Sequence, residues 1–491
     1  MTVQLPHLAG RQEIDAVALS ALERSFDGAL VRPGDPAYET RRKVWNGSID
    51  RFPALVAACA SVRDVVAALA FARRSGLRVA VRSGGHSFPG LSVCDDGVVI
   101  DLRAMSDIQV DDRTRTVRAG AGVLLGELDR STQQVGAAVP IGSVTSTGLA
   151  GLTLGGGFGW LMRKYGLAID QLLSVEVVTP SGEVVHADEA SNADLFWGLR
   201  GGGGNFGIVT KFEYRLQPVG PMVLSGLMLW PLDEAPAVAR FYREWADAAP
   251  DDLTTALILR RAPALDMIPR SLHGRPVVAM ACCWLGSVER GQKVLEPLRR
   301  LRSSVVDLIS VRPFVEHQAM FDPAFPPGIW IHSKAADVRS LADDVIDVLI
   351  DYAARTTSSR SGIICWQLGG AVGRVGELET PFGSRSSAYL VDILGATDSE
   401  PGFDHERSWA RECWNALTPH RAGAYVNWLM DEGEQRVREA YGEQRYARLQ
   451  SVKRHWDPSN FFRLNQNILP AEPPEVSASE HADAEGTGAQ S

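Results

Sequence analysis

The spacing of apolar positions changes along the chain, and these changes predict a series of helices and strands. After Ser61-Val62-Arg63-Asp64, which is typical of a capping box, apolar residues recur at helical spacing as far as Gly76. A short helix is predicted between a cap at Asn192 and Arg200. Apolar runs predict strands at 77–81, 98–102, 116–119 and 207–216, and a hairpin at 174–179 and 183–186.

The pattern changes beyond 217–221, where two prolines and a glycine mark a predicted boundary. Further along, amphipathic patterns predict helices at 235–248, 288–301 and 340–354, and apolar runs predict strands at 277–284, 362–367 and 388–394. A second α+β unit is therefore expected between about 222 and 415. A strand at 425–428 and a helix at 433–441 follow, and the polar residues 471–491 are expected to be disordered.

Composition narrows the class of protein. Hydrophobic residues make up 45% of the chain and charged residues 22%, as in globular proteins with a large core. The net charge of −9 argues against nucleic acid or anionic membrane as a partner. The six cysteines lack zinc spacing, and neither a signal peptide nor an apolar run of membrane length is evident. A cytoplasmic monomer or homodimer with no metal is expected.

Glycine is concentrated in one block. Of 47 glycines, 23 lie within residues 84–207, among apolar residues, which suggests backbone held close to a ligand rather than a linker. Residues 202–207 fit the GxGxxG pattern, but a predicted helix precedes them and a strand follows. A Rossmann nucleotide site needs the reverse order, so that interpretation is disfavoured. The chain also lacks a P-loop, HExxH and GxSxG.

Two loops and a C-terminal segment carry candidate chemistry. Residues 82–87, Arg-Ser-Gly-Gly-His-Ser, follow a predicted buried strand, and consecutive amides freed by glycine can form an anion site. A lone loop histidine often has no role, and His86 alone would not indicate one. Residues 155–159 form a second glycine loop, with Gly142 and Gly148 upstream. Asn427, Asn465 and Gln466 suit a neutral heterocycle better than a metal.

These motifs resemble those of a known family. Residues 82–87 resemble the flavin-attachment loop of the berberine-bridge-enzyme-like, PCMH-type FAD-linked oxidases of the vanillyl-alcohol-oxidase superfamily. Residues 154–170, 195–210, 425–427 and 457–468 also match the family, in order, and the resemblance runs from about 38 to 470. It implies an α+β fold: a split FAD-binding domain with an inserted substrate domain of antiparallel sheet flanked by helices.

The resemblance also implies domain boundaries. The FAD-binding part is expected at 30–218 and is completed by a C-terminal segment at 418–470. The substrate domain is expected at 219–417, followed by the disordered tail at 471–491.

The resemblance further implies how FAD is held. In the family, the histidine at the position of His86 bonds to the 8α-methyl of the flavin, which retains the cofactor and raises its potential. Many members add a cysteine link, but Val144 occupies that position here. A single link through His86 is therefore expected, as in the singly attached bacterial subgroup. The expected cofactor-binding residues are Arg82, Ser83, Gly84, Gly85, His86, Ser87, Gly142, Ser143, Val144, Gly148, Gly151, Gly156, Gly157, Gly159, Gly204, Asn205, Gly207, Ile208, Val209, Tyr425, Asn427, Asn465 and Gln466.

Tyr425 matches a tyrosine that acts as catalytic base in several members, although a phenol of ordinary pKa near 10 needs help to do so. A strand tyrosine packed in the core is the alternative interpretation. For Gln466, structural support is favoured over contact with the cofactor. Trp366, Gln367 and His317 could line the pocket, but ordinary packing or surface positions are favoured for them.

The expected function is an FAD-dependent oxidase. It would pass a hydride from a C–H bond next to oxygen or nitrogen of a small molecule to FAD, with O2 as acceptor. A flavin-dependent oxygenase or rearrangement enzyme of polyketide-type biosynthesis is an alternative. A drug-binding resistance protein with little turnover is an alternative of another class.

Overall fold

The computed structural model describes residues 16–301 and 304–473. Its N-terminal part contains a small sheet of four strands, three of them parallel. The antiparallel edge strand comes first in the spatial order Ala29–Val31, Leu55–Ala58, Val98–Asp101 and Val79–Arg82. The parallel strand Val79–Arg82 ends directly at the loop 83–87, so the sheet holds the start of that loop in place.

A second, antiparallel sheet of five strands follows. Its spatial order is Ile108–Asp111, Thr116–Gly120, Ile208–Arg215, Leu172–Val178 and Val184–Asp188. The last two strands are the predicted hairpin, with Val178 opposite Val184. A separate pair joins Ala137–Ala138 to Gln217–Pro218.

The third sheet has nine antiparallel strands. Along its main path the order is Val306–Asp307, Met222–Pro231, Pro276–Trp284, Leu253–Arg261, Gly362–Gln367, Tyr389–Thr397, Trp330–Val338 and Arg421–Gly423, and Ser310–Pro313 also pairs with the second of these. The strand Arg421–Gly423, which the sequence assigned to the C-terminal segment, thus completes the large sheet.

Helices cover these sheets. The α-helices are Ala16–Glu23, Tyr38–Arg42, Val62–Arg74, Leu125–Gln133, Leu149–Leu154, Met162–Tyr165, Ala168–Gln171, Ala193–Leu199, Ala235–Asp247, Val288–Arg300, Phe314–Gln318, Asp343–Arg355, Ala371–Arg374, Phe403–Ala416, Glu434–Tyr441 and Glu443–Trp456. Short 3₁₀ turns occur at Leu232–Glu234, Arg270–Leu272, Asp322–Ala324, Thr418–His420 and Val426–Trp428. No helix in the described ranges is both long and apolar enough to cross a membrane.

The α+β class is confirmed, and the local predictions hold with shifted ends. The Ser61 hydroxyl accepts a hydrogen bond from the Asp64 amide at 3.3 Å, as a helix cap requires. Two predictions differ from the structure, and one helix was missed. Asn192 precedes its helix with a left-handed backbone (φ 50°) and no capping bond from its side chain. The strand predicted at 425–428 is a 3₁₀ turn, and the helix Glu443–Trp456 was not predicted. Of the tail predicted to be disordered at 471–491, residues 474–491 lie outside the described residues, and the Ala471 amide donates a hydrogen bond of 3.0 Å to the Gln450 carbonyl.

The large sheet buries both of its faces, and alternation along each strand decides which side chain goes where. In Tyr389–Thr397, Tyr389, Val391 and Ile393 join the core under the helices. Leu390 and Leu394 join a different core, shared with Trp160, Phe158 and Tyr425. The second face therefore looks toward the glycine loops and the C-terminal segment, and this is where the candidate site lies.

Candidate active site

A cavity of about 360 Å³ lies between the glycine loops and the large sheet. Most of the predicted cofactor-binding residues line it: Ser83, Gly84, Gly85, His86, Ser87, Gly142, Ser143, Val144, Gly148, Gly151, Gly204, Gly207, Ile208, Val209, Tyr425, Asn427, Asn465 and Gln466. Segments separated by up to about 380 positions in the sequence thus meet at one site, because the C-terminal segment folds back onto the first half of the chain.

Five predicted residues do not line the cavity: Arg82, Gly156, Gly157, Gly159 and Asn205. Arg82 is buried and forms an ion pair of 2.8 Å with Asp101, the last residue of the neighbouring strand. The close approach at Gly159 is to protein backbone, since a Cβ there would lie 2.0 Å from the Ile141 carbonyl oxygen. The structure places these residues behind the cavity wall.

The glycines of the wall are of two kinds. A Cβ on Gly84 would lie 2.2 Å from the Gly148 amide nitrogen, and one on Gly148 would lie 2.1 Å from that of Gly84. The two loops therefore touch backbone to backbone, which only glycine permits. At Gly151 and Gly204, in contrast, a Cβ would meet no protein atom within 4 Å. These two glycines leave open space along the cavity.

The loop after Val79–Arg82 presents backbone donors. Gly85 has a left-handed backbone (φ 74°), and the Ser83 hydroxyl fixes the loop by donating a 2.6 Å hydrogen bond to the Ala121 carbonyl. Within the described ranges, no residue accepts a hydrogen bond from the amides of Gly84, Gly85 or His86. Successive free amides in such a loop suit an anionic or strongly polar ligand group.

His86 is half-buried at the tip of this loop. Its ring stacks on Trp45 with centroids 4.7 Å apart, and its Nε2 lies 3.1 Å from the Ser146 hydroxyl. Burial lowers the pKa of the imidazole to about 4. The ring is therefore neutral at physiological pH, and a neutral imidazole retains the lone pair that a nucleophile needs.

Tyr425 lines the cavity among aromatic rings. Phe158, Trp428 and Phe382 have ring centroids 5.1, 5.4 and 5.8 Å from that of Tyr425. The tyrosine hydroxyl accepts hydrogen bonds from the Gly157 amide at 3.1 Å and the Asn427 side chain at 2.8 Å. Burial raises the pKa of the phenol to about 12, although both hydrogen bonds act in the opposite direction.

A buried polar cluster joins the glycine loop 201–207 to the C-terminal segment. Asn205 donates to the Gln466 carbonyl at 3.0 Å and accepts from the Ile468 amide at 3.0 Å. The ammonium of Lys453 donates to the carbonyls of Asn205 and Phe462 and pairs with Asp457 at 2.7 Å. This cluster fixes the backbone on which Asn465 and Gln466 are carried.

Asn465 and Gln466 differ in what they offer a ligand. Gln466 donates to the Leu429 carbonyl at 3.0 Å, which supports the structural role favoured from the sequence. The side chain of Asn465 donates to the Phe462 carbonyl at 3.0 Å, but its Oδ1 is buried without a partner. A buried acceptor beside a cavity is normally satisfied by a ligand or water.

The large sheet contributes residues that the sequence analysis weighed lightly or missed. Trp366 and Asp392 line the cavity together with Phe321, Phe325 and Ile364. Gln367 points to the other face, where Thr255 donates to it at 2.7 Å. His317 is fully buried against Trp160, with ring centroids 4.5 Å apart. The sequence feature that could have identified Asp392 as a site residue is an acidic residue in the middle of an apolar strand.

The loop that carries Val144 is tied to the large-sheet part of the chain. Asp322 accepts hydrogen bonds from the Thr145 amide at 2.9 Å and from the Thr145 hydroxyl. The side chain of Gln318 donates to the Gly142 carbonyl at 3.2 Å and to Asp129 at 2.9 Å. These contacts hold both parts of the chain together at the rim of the cavity.

Comparison with known families gives two matches. A model described as "FAD binding domain" matches residues 53–188, and one described as "Berberine and berberine like" matches residues 424–469. The two matched segments contain the glycine loops before 188 and the C-terminal wall.

Similar proteins extend the match over nearly the whole chain. An FAD-linked oxidoreductase of Dictyostelium discoideum is 31% identical, covering 91% of this chain and 95% of the relative. The (R)-6-hydroxynicotine oxidase of Paenarthrobacter nicotinovorans is 30% identical, covering 91% and 97%. The crystal structure of 6-hydroxy-D-nicotine oxidase from Arthrobacter nicotinovorans superposes with a TM-score of 0.80 at 28% identity, covering 90% and 98%.

Proposed function

Since the chain belongs to the berberine-bridge-enzyme-like family of FAD-linked oxidoreductases, we propose that it is an oxidase whose FAD is attached through His86 alone. Its substrate would be a small organic molecule with a C–H bond next to oxygen or nitrogen, and O2 would be the acceptor. The observation that carries the proposal is the position of His86, a neutral imidazole at the wall of a cavity where both matched segments meet.

The cavity fits FAD in shape and in hydrogen-bonding groups. Gly151 and Gly204 leave open space where side chains would otherwise project. The free amides of Gly84, Gly85 and His86 suit polar or phosphate oxygens, and no Lys or Arg lines the cavity within the described ranges. The unpartnered Oδ1 of Asn465 offers an acceptor to a ring N–H. Backbone donors and amide side chains would thus hold the cofactor.

A single attachment follows from the cavity wall. Val144 lines the cavity where many family members carry a cysteine, and no cysteine of the described residues lines it. All six cysteines are buried thiols elsewhere. A valine side chain cannot form a thioether, so only His86 would bond to the flavin.

FAD, when bound, supplies a hydride acceptor that O2 can reoxidise with release of H2O2. The protein's own residues bind and orient the substrate against the aromatic wall formed by Phe158, Trp366 and Trp428. Two donors converge on the Tyr425 oxygen, which in its phenolate form would accept the substrate proton. The buried rings around it exclude water from that proton transfer.

The division of the chain that we propose follows from these roles. Residues 30–218 and 418–470 would bind FAD, and residues 219–417 would cover the substrate side of the cavity. The pairing of Arg421–Gly423 with Trp330–Val338 joins the two parts, so the substrate sheet and the C-terminal wall would move as one.

Acid precipitation of the purified protein tests the proposal. We expect the washed pellet to stay yellow, and the His86→Ala variant to give a colourless pellet with FAD in the supernatant. Cys94→Ala is the matched control, because this buried thiol does not line the cavity, and it should keep the yellow pellet. A colourless wild-type pellet would contradict the covalent link. If the protein releases no H2O2 with any compound of a panel of amines and alcohols, the proposed oxidase function is contradicted.

A further inference from the structure

Asp392 places a carboxyl group on the substrate side of the cavity. It lies in the strand Tyr389–Thr397, opposite Ile364 on one neighbouring strand and Ala335 on the other. Its neighbours Leu390 and Leu394 on the same face belong to the apolar core under the cavity. Asp392 is 5% exposed and lines the cavity.

The protein does little to stabilise the negative charge of this carboxyl group. The Ser333 hydroxyl donates a hydrogen bond of 2.9 Å to one of its oxygens, and no charged side chain among the described residues shifts its pKa. Burial raises its pKa to about 7. A buried carboxylate without a cation is unfavourable, so the site gains most from a ligand that brings positive charge or a proton donor.

The surroundings favour a cation in particular. Trp366, Phe158, Trp428 and Tyr425 line the same cavity, and their ring faces attract positive charge. In the described ranges, the cavity wall contains no Lys or Arg that could receive a carboxylate or phosphate of a substrate. One carboxyl group among aromatic rings is a combination that recognises organic ammonium groups rather than anions or neutral alcohols.

We propose that the substrate is an organic amine with an apolar or aromatic body, whose protonated nitrogen is bound by Asp392. The inference rests on the proposed function and narrows its substrate class, because it selects nitrogen over oxygen as the atom next to the oxidised C–H bond. Asp392 would bind and orient the ammonium form, while the rings enclose the carbon body.

Binding of two matched probes to the FAD-loaded protein tests this. The cation phenyltrimethylammonium and its neutral isostere tert-butylbenzene have the same shape, carry no group that titrates, and differ in charge. Titration calorimetry or the shift of the flavin spectrum at pH 8 gives both dissociation constants. We expect the cation to bind about 10-fold or more tightly than the neutral probe, and Asp392→Asn to abolish this preference.

Asp337→Asn is the matched control. Asp337 is also buried in the large sheet with its pKa raised to about 7, but it does not line the cavity. The control should keep the preference for the cation. Equal binding of the two probes to the wild type, a preference that survives Asp392→Asn, or an equal loss in Asp337→Asn would each overturn the proposal. The wild-type comparison alone decides the matter if Asp392→Asn fails to fold.

The outcome is separable from that of the proposed function. If the pellets are yellow and H2O2 is released but the cation is not preferred, the proposed oxidase function holds and the proposed amine substrate is refuted. A clear preference for the cation together with a colourless pellet would support the binding of an organic cation and refute the covalent link to the flavin.

Discussion

The side-chain amide of Asn427 donates a hydrogen bond of 2.8 Å to the hydroxyl of Tyr425. With the Gly157 amide at 3.1 Å, the phenol oxygen receives two N–H donors, an arrangement that stabilises a phenolate. Burial nevertheless keeps the pKa of Tyr425 at about 12, so desolvation outweighs the two donors. A base role therefore requires the phenolate, which the two donors stabilise but which burial leaves as the minor form at neutral pH.

We expect Tyr425→Phe to slow flavin reduction by about 100-fold, a typical loss when a general base is removed. Asn427→Leu keeps the phenol but removes one donor, and a smaller loss of about 10-fold is expected, since one hydrogen bond to a charged group is worth about 1.5–3 kcal/mol. Stopped-flow measurement of flavin bleaching under anaerobic conditions gives both rates.

Tyr441→Phe is the control for these variants. Tyr441 also lines the cavity, but its hydroxyl donates a 3.2 Å hydrogen bond to the Gly201 carbonyl, which leaves it no basic function. Its bleaching rate should stay within a few-fold of wild type. If Tyr425→Phe behaves in the same way, the base must be another group or water.

A second prediction concerns the flavin link. Val144 lines the cavity on the loop that Asp322 fixes through Thr145, so a thiol at this position would be held beside the cofactor. We expect Val144→Cys to gain a second covalent bond to FAD. In the double variant His86→Ala/Val144→Cys, the acid-precipitated pellet should remain yellow, whereas His86→Ala alone gives a colourless pellet. Peptide mass spectrometry locates the flavin.

A colourless pellet from the double variant would show that this loop does not bring residue 144 to the reactive edge of the ring. Val209→Cys is the matched control. Val209 lines the same cavity from the strand Ile208–Arg215, and no flavin is expected on its peptide.

The site residues that could be predicted are those that lie in short contiguous sequence motifs. Gly84, Gly85 and His86 follow a strand end, and a strand followed by glycines is visible in any sequence. Tyr425 was placed in a strand because its neighbours are apolar, but the local chain forms a 3₁₀ turn against Phe158 and Phe382. Those contacts are tertiary and leave no periodic pattern.

The substrate wall was harder to predict for a different reason. Alternation indicates that Asp392 and Leu390 share a face, but not whether that face meets helices or a cavity. That depends on how the large sheet docks on the glycine loops, which contacts such as Asp322 to Thr145 determine. The roles of the glycines were also only partly predictable, since Gly84 and Gly148 contact each other.

A third prediction concerns the buried cluster around Lys453. The side chains of Lys453 and Asp457 are both fully buried, and burial lowers the pKa of the ammonium. Lys453→Met leaves a buried carboxylate and two carbonyls without their cation, and breaking such a pair from one side destabilises by about 3–5 kcal/mol. Urea unfolding followed by fluorescence measures the loss.

The control is Arg438→Met, which breaks the exposed ion pair with Glu443 and should leave the free energy of unfolding nearly unchanged, because solvent screens that pair. Equal losses in the two variants would mean that the buried cluster contributes no more than a surface pair. The glycine loop 201–207 would then depend on its other contacts for its position.

The last prediction uses His317, whose ring is fully buried and whose two nitrogens have no hydrogen-bond partner in the part of the chain that the structure describes. Burial lowers its pKa to about 3, so the folded protein keeps the ring neutral while the unfolded chain takes up a proton below about 6.5. This histidine therefore favours unfolding progressively as the pH falls from 6.5 toward 3.

His317→Phe removes that proton uptake and keeps a ring of similar size beside Trp160. The free energy of unfolding of the variant, relative to wild type, should therefore rise by about 2 kcal/mol between pH 7 and pH 5, at about 1.4 kcal/mol per pH unit below the unfolded pKa. Urea unfolding at both pH values measures it. His186→Phe, on an exposed strand position, is the control. The assignment of acid sensitivity to the buried ring would be refuted by either of two results. One is a difference in free energy of unfolding between His317→Phe and wild type that does not change with pH, and the other is an equal change in the control.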